Sequence, residues 1–537
     1  MSANVSTSVD APTVLDPHAV HVLFVASEIY PLAKTGGLAD VCAALPQALC
    51  AQGLDVQLMM PAYPDALYQL VAPRPVVDLG EVLPGARVRL IHGHMPDSGL
   101  PTWLVDCPSL YRRPGTPYRD PDGRDWPDNA RRYGVLCHAA ARMALNRCGL
   151  AWVPHVVHCH DWHTGLLPLL LQLGGGPRPS SVFTIHNAAF QGNYPLATLA
   201  KLGLPEHLAS AEGIEFFGQM SFLKAGIRYA DKVTTVSPTY ARELCTPEFG
   251  FGMEGLLNAR RDDLHGIING IDDQLWNPQA DPYLPFRYRA TELGGKRGCK
   301  RVLQDMLGLD PDPMAPLAVS VSRLTQQKMA DIVLQQLPVL LQRHSRLQFA
   351  LHGNGDREIE SGLMAMAAQW PGRVAVRIGY SEALAHRLHA GADLLLHPSR
   401  FEPCGLAQMY AMRYGTVPVV RRVGGLADSV VDTSQGAGRA TGFVFDAANG
   451  AAFVDAVERG LGTFYAQPDS WSALQRGGMH ADFSWRTPAQ AYMQLYAQLL
   501  GVVLMERDQA GSGPNLPSLI RHLARPRWRE TASRQAS

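Results

Sequence analysis

The chain has 537 residues, sets 48 basic side chains against 48 acidic ones, and is 46% hydrophobic and 18% charged. That length exceeds one ordinary core and points to roughly two to four domains. The even charge disfavours a general nucleic-acid binder, so any affinity for anions must come from a local arrangement.

Residues 1–18 read as a flexible leader. MSANVSTSVDAPTVLD has neither a basic n-region nor an apolar h-region, so it does not read as a secretory signal. HVLFVAS (21–27) is an apolar, β-branched run of strand length. After the loop EIYPLAKTGG comes LADVCAALPQALCAQG (38–53), where Leu38, Val41, Leu45, Ala48 and Leu49 recur at helical spacing and Gly53 is a stop. DVQLMMP (55–61) is the next strand. Strand, crossover helix, strand is the unit of a parallel sheet. HVVHCHD (155–161), SVFTIHN (181–187), KVTTVS (232–237) and LHGIING (264–270) extend it. GLLPLLLQLGG (165–175), the longest apolar stretch, is too short to span a bilayer.

A Pro- and charge-rich passage, NPQADPYLPFRYRA (277–290), reads as a linker, and then the pattern restarts. LAVSVSR (317–323), RLQFALHGNGD (346–356), RVAVRIGY (373–380), ADLLLHPS (392–399) and TVPVVRR (416–422) are strand-plus-loop segments separated by helical ones. The expected layout is therefore an α/β domain over 19–272, a second over 278–480, a helical segment over 481–504 and a mobile basic tail over 505–537. Nine cysteines, an odd count without a CxxC pair, argue for reduced thiols. Together these features read as a soluble cytoplasmic protein with no membrane partner.

The pentapeptide GGLAD occurs at 36–40 and again at 424–428. Each copy follows a strand and its loop, where a helix should begin. Paired glycines allow positive φ and close backbone approach. Free N–H groups at a helix start attract anions. Ligands of open α/β sheets bind beyond the carboxyl ends of the strands, so two facing sheets would place both loops on one cleft. Gly-Gly before a helix is also ordinary turn chemistry, and both readings stand at this point.

KTGGLADV (34–41) resembles the N-terminal signature of bacterial glycogen synthases and plant starch synthases. HCHDWHTGL (158–166), TIHNAAFQGNYP (184–195), NGID (269–272), SRLTQQK (322–328), IGYSEALAHRL (378–388) and RFEPCGLAQMYAMRYGTVPVVRRVGGLAD (400–428) agree in the same order. The resemblance runs from about residue 20 to 500. It implies two Rossmann-like domains facing a central cleft, the GT-B architecture. It also implies transfer of glucose from ADP-glucose to the nonreducing 4-OH of an α-1,4-glucan primer, with anomeric configuration retained. No metal and no cofactor are implied, and no nucleic acid.

The resemblance assigns roles to particular positions. Lys34, with Gly36 and Gly37, would meet the nucleotide sugar, its ammonium suiting a diphosphate oxygen. Asp40 would bond sugar hydroxyls or merely complement the helix start. Arg323 and Lys328 would neutralise charge on the departing ADP. Glu402 would support positive charge at the anomeric carbon. A second carboxylate is missing eight positions on, where Tyr410 stands, so the two-carboxylate glycosidase scheme does not fit. The mechanism implied is same-face attack, with ADP helping to deprotonate the acceptor. Cys404, Gly405 and Leu406 would present backbone N–H groups to phosphate, as would Gly424 and Gly425. His186 would bond the reacting sugar in a pocket shaped by Asp161. Asn269 and Tyr380 are further pocket candidates, Tyr380 against the adenine. The family usually has Gly after the second cation, where this chain has Met329, which puts the placing of Lys328 in question. His158, His160, His163 and His186 tempt a zinc reading, but no Cys or carboxylate set completes a site.

Alternatives are a related retaining transferase using UDP-glucose or a small acceptor, and a catalytically silent glucan binder. A nicotinamide dehydrogenase is set aside because its GxGxxG is absent from the first loop.

Overall fold

The computed structural model describes residues 13–436 and 438–504. Contacts divide them into two compact units. Unit 1 comprises 13–235, 244–267 and 485–504, and unit 2 comprises 236–243 and 268–484. This differs from the sequence expectation: residues 236–243 and 268–272 go with unit 2, and the expected separate segment 481–504 is divided, 481–484 going with unit 2 and the C-terminal helix with unit 1.

Unit 1 is built on a sheet of nine strands. They are β1 (His21–Val25), β2 (Asp55–Pro61), β3 (Val71–Leu83), β4 (Ala86–His94), β5 (Pro101–Asp106), β6 (Val156–His160), β7 (Ser180–Ile185), β8 (Lys232–Thr235) and β9 (Leu264–Gly266). Their order is β9-β8-β7-β6-β1-β2-β5-β4-β3. Neighbours are parallel from β9 to β5, with His21 opposite Asp55 and Val22 opposite Val156. β1 and β6 lie in the middle, and Val22, Leu23, Phe24, Val25, Val156 and Val157 are fully buried. That is why they read as unbroken apolar runs. β4 and β3 add an antiparallel arm. β3 carries Pro73 and Pro75, mostly exposed side chains and four register shifts. Its sequence therefore gives no strand signal, and the prolines are tolerated because it is an edge.

The helix Gly37–Ala51 crosses from β1 to β2 and buries Val41, Cys42, Leu45 and Leu49. The helix Arg486–Leu500 belongs here because its buried Tyr492, Leu495 and Tyr496 complete this core. Tyr496 Oη lies 2.7 Å from His158 Nδ1, and Gln52 Nε2 donates to the Arg486 carbonyl at 3.1 Å. The expected leader 1–18 is described only from residue 13. There it is ordered chain: Thr13–Leu15 pairs in parallel with Val502–Leu504, and Asp16 caps a 3₁₀ turn at Pro17–Ala19. The expected tail 505–537 lies outside the described residues.

Unit 2 holds a six-stranded parallel sheet. Its strands are β10 (Leu317–Val321), β11 (Gln348–Gly353), β12 (Val374–Ile378), β13 (Leu394–His397), β14 (Val417–Arg421) and β15 (Phe443–Phe445), in the order β12-β11-β10-β13-β14-β15. Alternate residues feed two cores. Ala318, Phe349, Leu351, Leu394 and Val417 pack with the helices Ala330–Arg343 and Gly450–Ala466. Leu317, Val319, Ala350 and Leu395 pack with Leu303, Leu307 and Leu388 on the other face. This is the period-2 pattern of a sheet covered on both sides. The short helix Pro238–Glu243 is tied to unit 2 by Thr239, whose N–H and Oγ1 donate to Asp428 at 2.8 and 2.6 Å.

Among the described residues no helix is long and apolar enough to cross a membrane.

Candidate active site

In each unit the singled-out residues sit on loops leaving the carboxyl ends of parallel strands, where α/β sheets bind ligands. In unit 1, β1 leads into the Lys34 loop, β6 into Asp161 and β7 into His186.

Lys34 Nζ lies 2.9 Å from Asp40 Oδ1 and 5.1 Å from the centre of the Tyr30 ring. Gly36 precedes the helix with extended backbone (φ −165°), and a Cβ there would meet nothing within 4 Å. Gly36 and Gly37 are exposed. Beneath the loop is Glu28, which is 2% exposed and accepts from Thr35 N–H at 2.6 Å and Thr35 Oγ1 at 2.7 Å. Burial pushes its carboxyl up to about 7 against those bonds. Glu28 stood in the loop that the sequence reading quoted, but one carboxylate in a loop carries no signal of burial.

Asp161 is buried with φ +61°, a strained value for a non-glycine residue. Burial raises its carboxyl to about 7, opposed by the N–H groups of Trp162, Asn187 and His186. Glu28 adds to the rise, so the two carboxyls feel one another. The structure thus brings Asp161 to the backbone of His186. His186 Nε2 lies 3.0 Å from His160 Nδ1, and burial pushes its imidazole down to about 3. His158 meets Tyr496 Oη and, at 2.6 Å, Thr184 Oγ1. These histidines hold one another and hydroxyls. Among the described residues no group of three or more His, Cys, Asp or Glu is placed to hold a metal.

In unit 2 the centre is Glu402, 5% exposed, on the loop after β13. Its Oε2 accepts from Lys328 Nζ and from Ser399 Oγ at 3.0 Å, and lies 3.5 Å from His397 Nε2. Burial alone would raise this carboxyl. The Lys328 ammonium and the His397 ring outweigh it and hold Glu402 well below the usual carboxylate range. Burial pushes His397 down, though the Glu402 carboxylate pulls the other way. His397 and Ser399 escaped the sequence reading. Their position at the end of a buried strand just before RFEPCG was the signal that could have found them.

Lys328 closes a single 3₁₀ turn, Gln326–Lys328, and Met329 follows with φ +50° and ψ 30°. Met329 thus occupies the left-handed conformation that glycine adopts without cost, and its side chain is fully buried at the edge of the core that the helix Ala330–Arg343 shares with the sheet. The turn that was in question is made despite the missing glycine, because the core holds the side chain. Arg323 is exposed, with Gln327 Oε1 3.5 Å from its guanidinium.

Cys404 is buried, and burial raises its thiol to about 12 while the Asn269 N–H lowers it, so Asn269 and Cys404 meet. Gly405 takes φ +73° and Leu406 precedes the helix Ala407–Arg413. Gly425 N–H donates to the carbonyls of Glu402 (3.1 Å) and Pro403 (3.2 Å). Gly424 N–H donates to the Glu243 carboxylate at 2.9 Å. The expectation of open anion-binding amides at 424 and 425 is therefore corrected: both are occupied by the protein itself. Tyr380 is set apart, 69% exposed, its hydroxyl donating to Glu382. Tyr410 stacks on Trp276 with ring centres 3.7 Å apart.

The starch synthase catalytic domain family matches residues 21–259, and the glycosyl transferases group 1 family matches residues 308–462. The chain is 62% identical to the glycogen synthase of Burkholderia thailandensis over 480 residues, 89% of this chain and 90% of that one. It is 49% identical to the glycogen synthase of Paramagnetospirillum magneticum over 90% of this chain and 98% of that one. Among solved structures it is similar to the catalytic domain of starch synthase IV from Arabidopsis thaliana bound to ADP and acarbose. The TM-score is 0.81 at 32% identity, over 89% of this chain and 99% of that one.

Proposed function

This chain belongs to the family of glycogen synthases and starch synthases, which are glycosyltransferases, and on that premise we propose its donor, acceptor and working residues. The donor is ADP-glucose. The acceptor is the nonreducing 4-OH of an α-1,4-glucan, and the anomeric configuration is retained. The ADP in the similar plant enzyme supports the choice of base.

One observation carries the assignment of the chemistry. A carboxylate 5% exposed is kept ionised by a lysine, a serine and a histidine at the carboxyl end of a parallel sheet. Burying a charge is costly unless it is paired, so such a group is held for a purpose or for structure. In this reading Glu402 faces the anomeric carbon, where positive charge grows as the bond to the diphosphate breaks. Lys328 then has two anions to serve. Its ammonium has three donors, enough to keep Glu402 and also meet a diphosphate oxygen. Arg323, exposed and lightly held, supplies further positive charge toward the leaving group. On the same reading Lys34 is assigned to the diphosphate, and His186 and Asp161 to the sugar. The reading calls on no metal. A cytoplasmic location goes with it, as do nine free thiols.

The test is incubation with a maltooligosaccharide primer and either ADP-glucose or UDP-glucose, following nucleoside diphosphate release and primer length. Extension with ADP-glucose is expected. Extension with UDP-glucose alone would overturn the donor, and no extension by folded protein would favour a silent glucan binder.

A further inference from the structure

We infer that His160 is a positioning residue that fixes the tautomer of His186, so that His186 offers an Nδ1–H donor outward and does not serve as a base. The inference deepens the reading above and rests on it only for what His186 faces.

The argument starts from an asymmetry. His160 is fully buried between the Phe24 ring, 4.0 Å away, and the His158 ring, 4.1 Å away. Its Nδ1 meets His186 Nε2 at 3.0 Å, and its Nε2 is enclosed with no partner among the described residues. His158 differs: both its nitrogens face hydroxyls, which accept or donate as needed, so either tautomer suits it.

Two neutral arrangements satisfy the 3.0 Å contact. In the first, His160 carries its proton on Nδ1 and donates to His186 Nε2. The enclosed Nε2 is then a bare lone pair, and the His186 proton sits on Nδ1. In the second, His160 carries its proton on Nε2, leaving an enclosed N–H without an acceptor. Buried orphan donors are rarer than under-used acceptors, so the first arrangement is favoured. A charged pair is opposed by burial of both rings. His186 is only half-buried, and its Nδ1, unlike His160 Nε2, is not an enclosed nitrogen without a partner. The donor it offers there suits a sugar hydroxyl oxygen, and its lone pair is already spent on His160.

The test is nitrogen-15 NMR of histidine-labelled full-length protein, with the His186 signals identified by their loss in His186→Asn. The expected wild-type state is neutral, with the proton on Nδ1. A proton on Nε2 would overturn the inference, whatever the enzyme assay shows. In parallel, His160→Phe keeps the ring but removes the donor, and His160→Asn places an amide N–H near the lost Nδ1. His160→Phe is expected to lower kcat/KM on the order of tenfold to a hundredfold, as when a partner orienting an imidazole is removed. His160→Asn should restore most of it. Wild-type kcat/KM in folded His160→Phe would overturn the positioning role.

Discussion

The two copies of GGLAD share five residues and little else. At 36–40 the glycines are exposed, Gly36 is extended, and a Cβ on it would touch nothing within 4 Å. At 424–428 both glycines are buried and Gly424 takes φ +45°. A Cβ on Gly424 would lie 1.8 Å from the Glu402 carbonyl oxygen, and one on Gly425 2.2 Å from that of Cys404. The aspartates diverge as well. Asp40 pairs with Lys34, whereas Asp428 receives the N–H and hydroxyl of Thr239. The same string thus solves two problems. The first copy leaves its loop exposed, and the second lets a helix start press against the backbone that carries Glu402.

The sharpest way to break this comparison is a pair of glycine substitutions. Gly424→Ala should destabilise unit 2 by about 3 kcal/mol or more, because the new methyl overlaps backbone and the φ is left-handed. Gly36→Ala should cost under about 1 kcal/mol, the loss of a modest helix cap. Urea unfolding of both variants checks this. Equal effects would mean that the two glycine pairs do the same thing.

Next in size is Lys328→Ala. It strands a buried carboxylate whose remaining partners are Ser399 and His397. Breaking a buried pair costs about 3–5 kcal/mol when nothing relaxes. The two remaining partners should hold the loss to the low end, about 3 kcal/mol, with transfer slowed about 100-fold or more. Asp40→Asn, at the more exposed pair in the first copy, should change stability by no more than about 1 kcal/mol.

The two units should also differ in their response to pH. Asp161 and Glu28 have raised carboxyls, so their contribution to stability is complete below their ordinary values of 3.8 and 4.5. It is lost as pH rises through about 7. Glu402 is lowered, so its contribution is complete above 4.5 and is lost as pH falls through its lower folded value. Urea midpoints of Asp161→Asn against pH should therefore lose part of the decline between pH 4 and 7 while keeping the acid limb. Lys328→Ala should move the acid limb upward instead. An unchanged decline in Asp161→Asn would place it elsewhere.

Met329 weighs backbone strain against packing. Glycine there would relieve about 1 kcal/mol of left-handed strain but empty a core position worth about 2–5 kcal/mol, for a net loss of about 1–4 kcal/mol. A stability gain in Met329→Gly would show that the side chain holds nothing.

What was legible in the sequence followed burial. Strands covered on both faces, such as HVLFVAS and ADLLLHPS, read as apolar runs, and both GGLAD helices were placed at the right strand ends. β3 was not legible, because an edge strand with two prolines has no apolar pattern to show. Nor was the assignment of Arg486–Leu500 to unit 1, since a helix's own periodicity says which face is buried and not against what. Glu402 and Lys328 were singled out from the family motif and lie together, but their partners His397 and Ser399 needed the fold. The amides of Gly424 and Gly425 looked like an anion site, since no local signal shows that Glu243, 181 residues away, already fills one of them.

The most direct measurement compares wild type with Glu402→Gln, which keeps the shape and removes the charge. ADP release and primer lengthening would be followed with ADP-glucose and a maltooligosaccharide, after thermal unfolding has shown the variant folded. The account predicts primer extension by the wild type and a loss of about 100-fold or more in the variant. A folded Glu402→Gln that extends primer at the wild-type rate would contradict it.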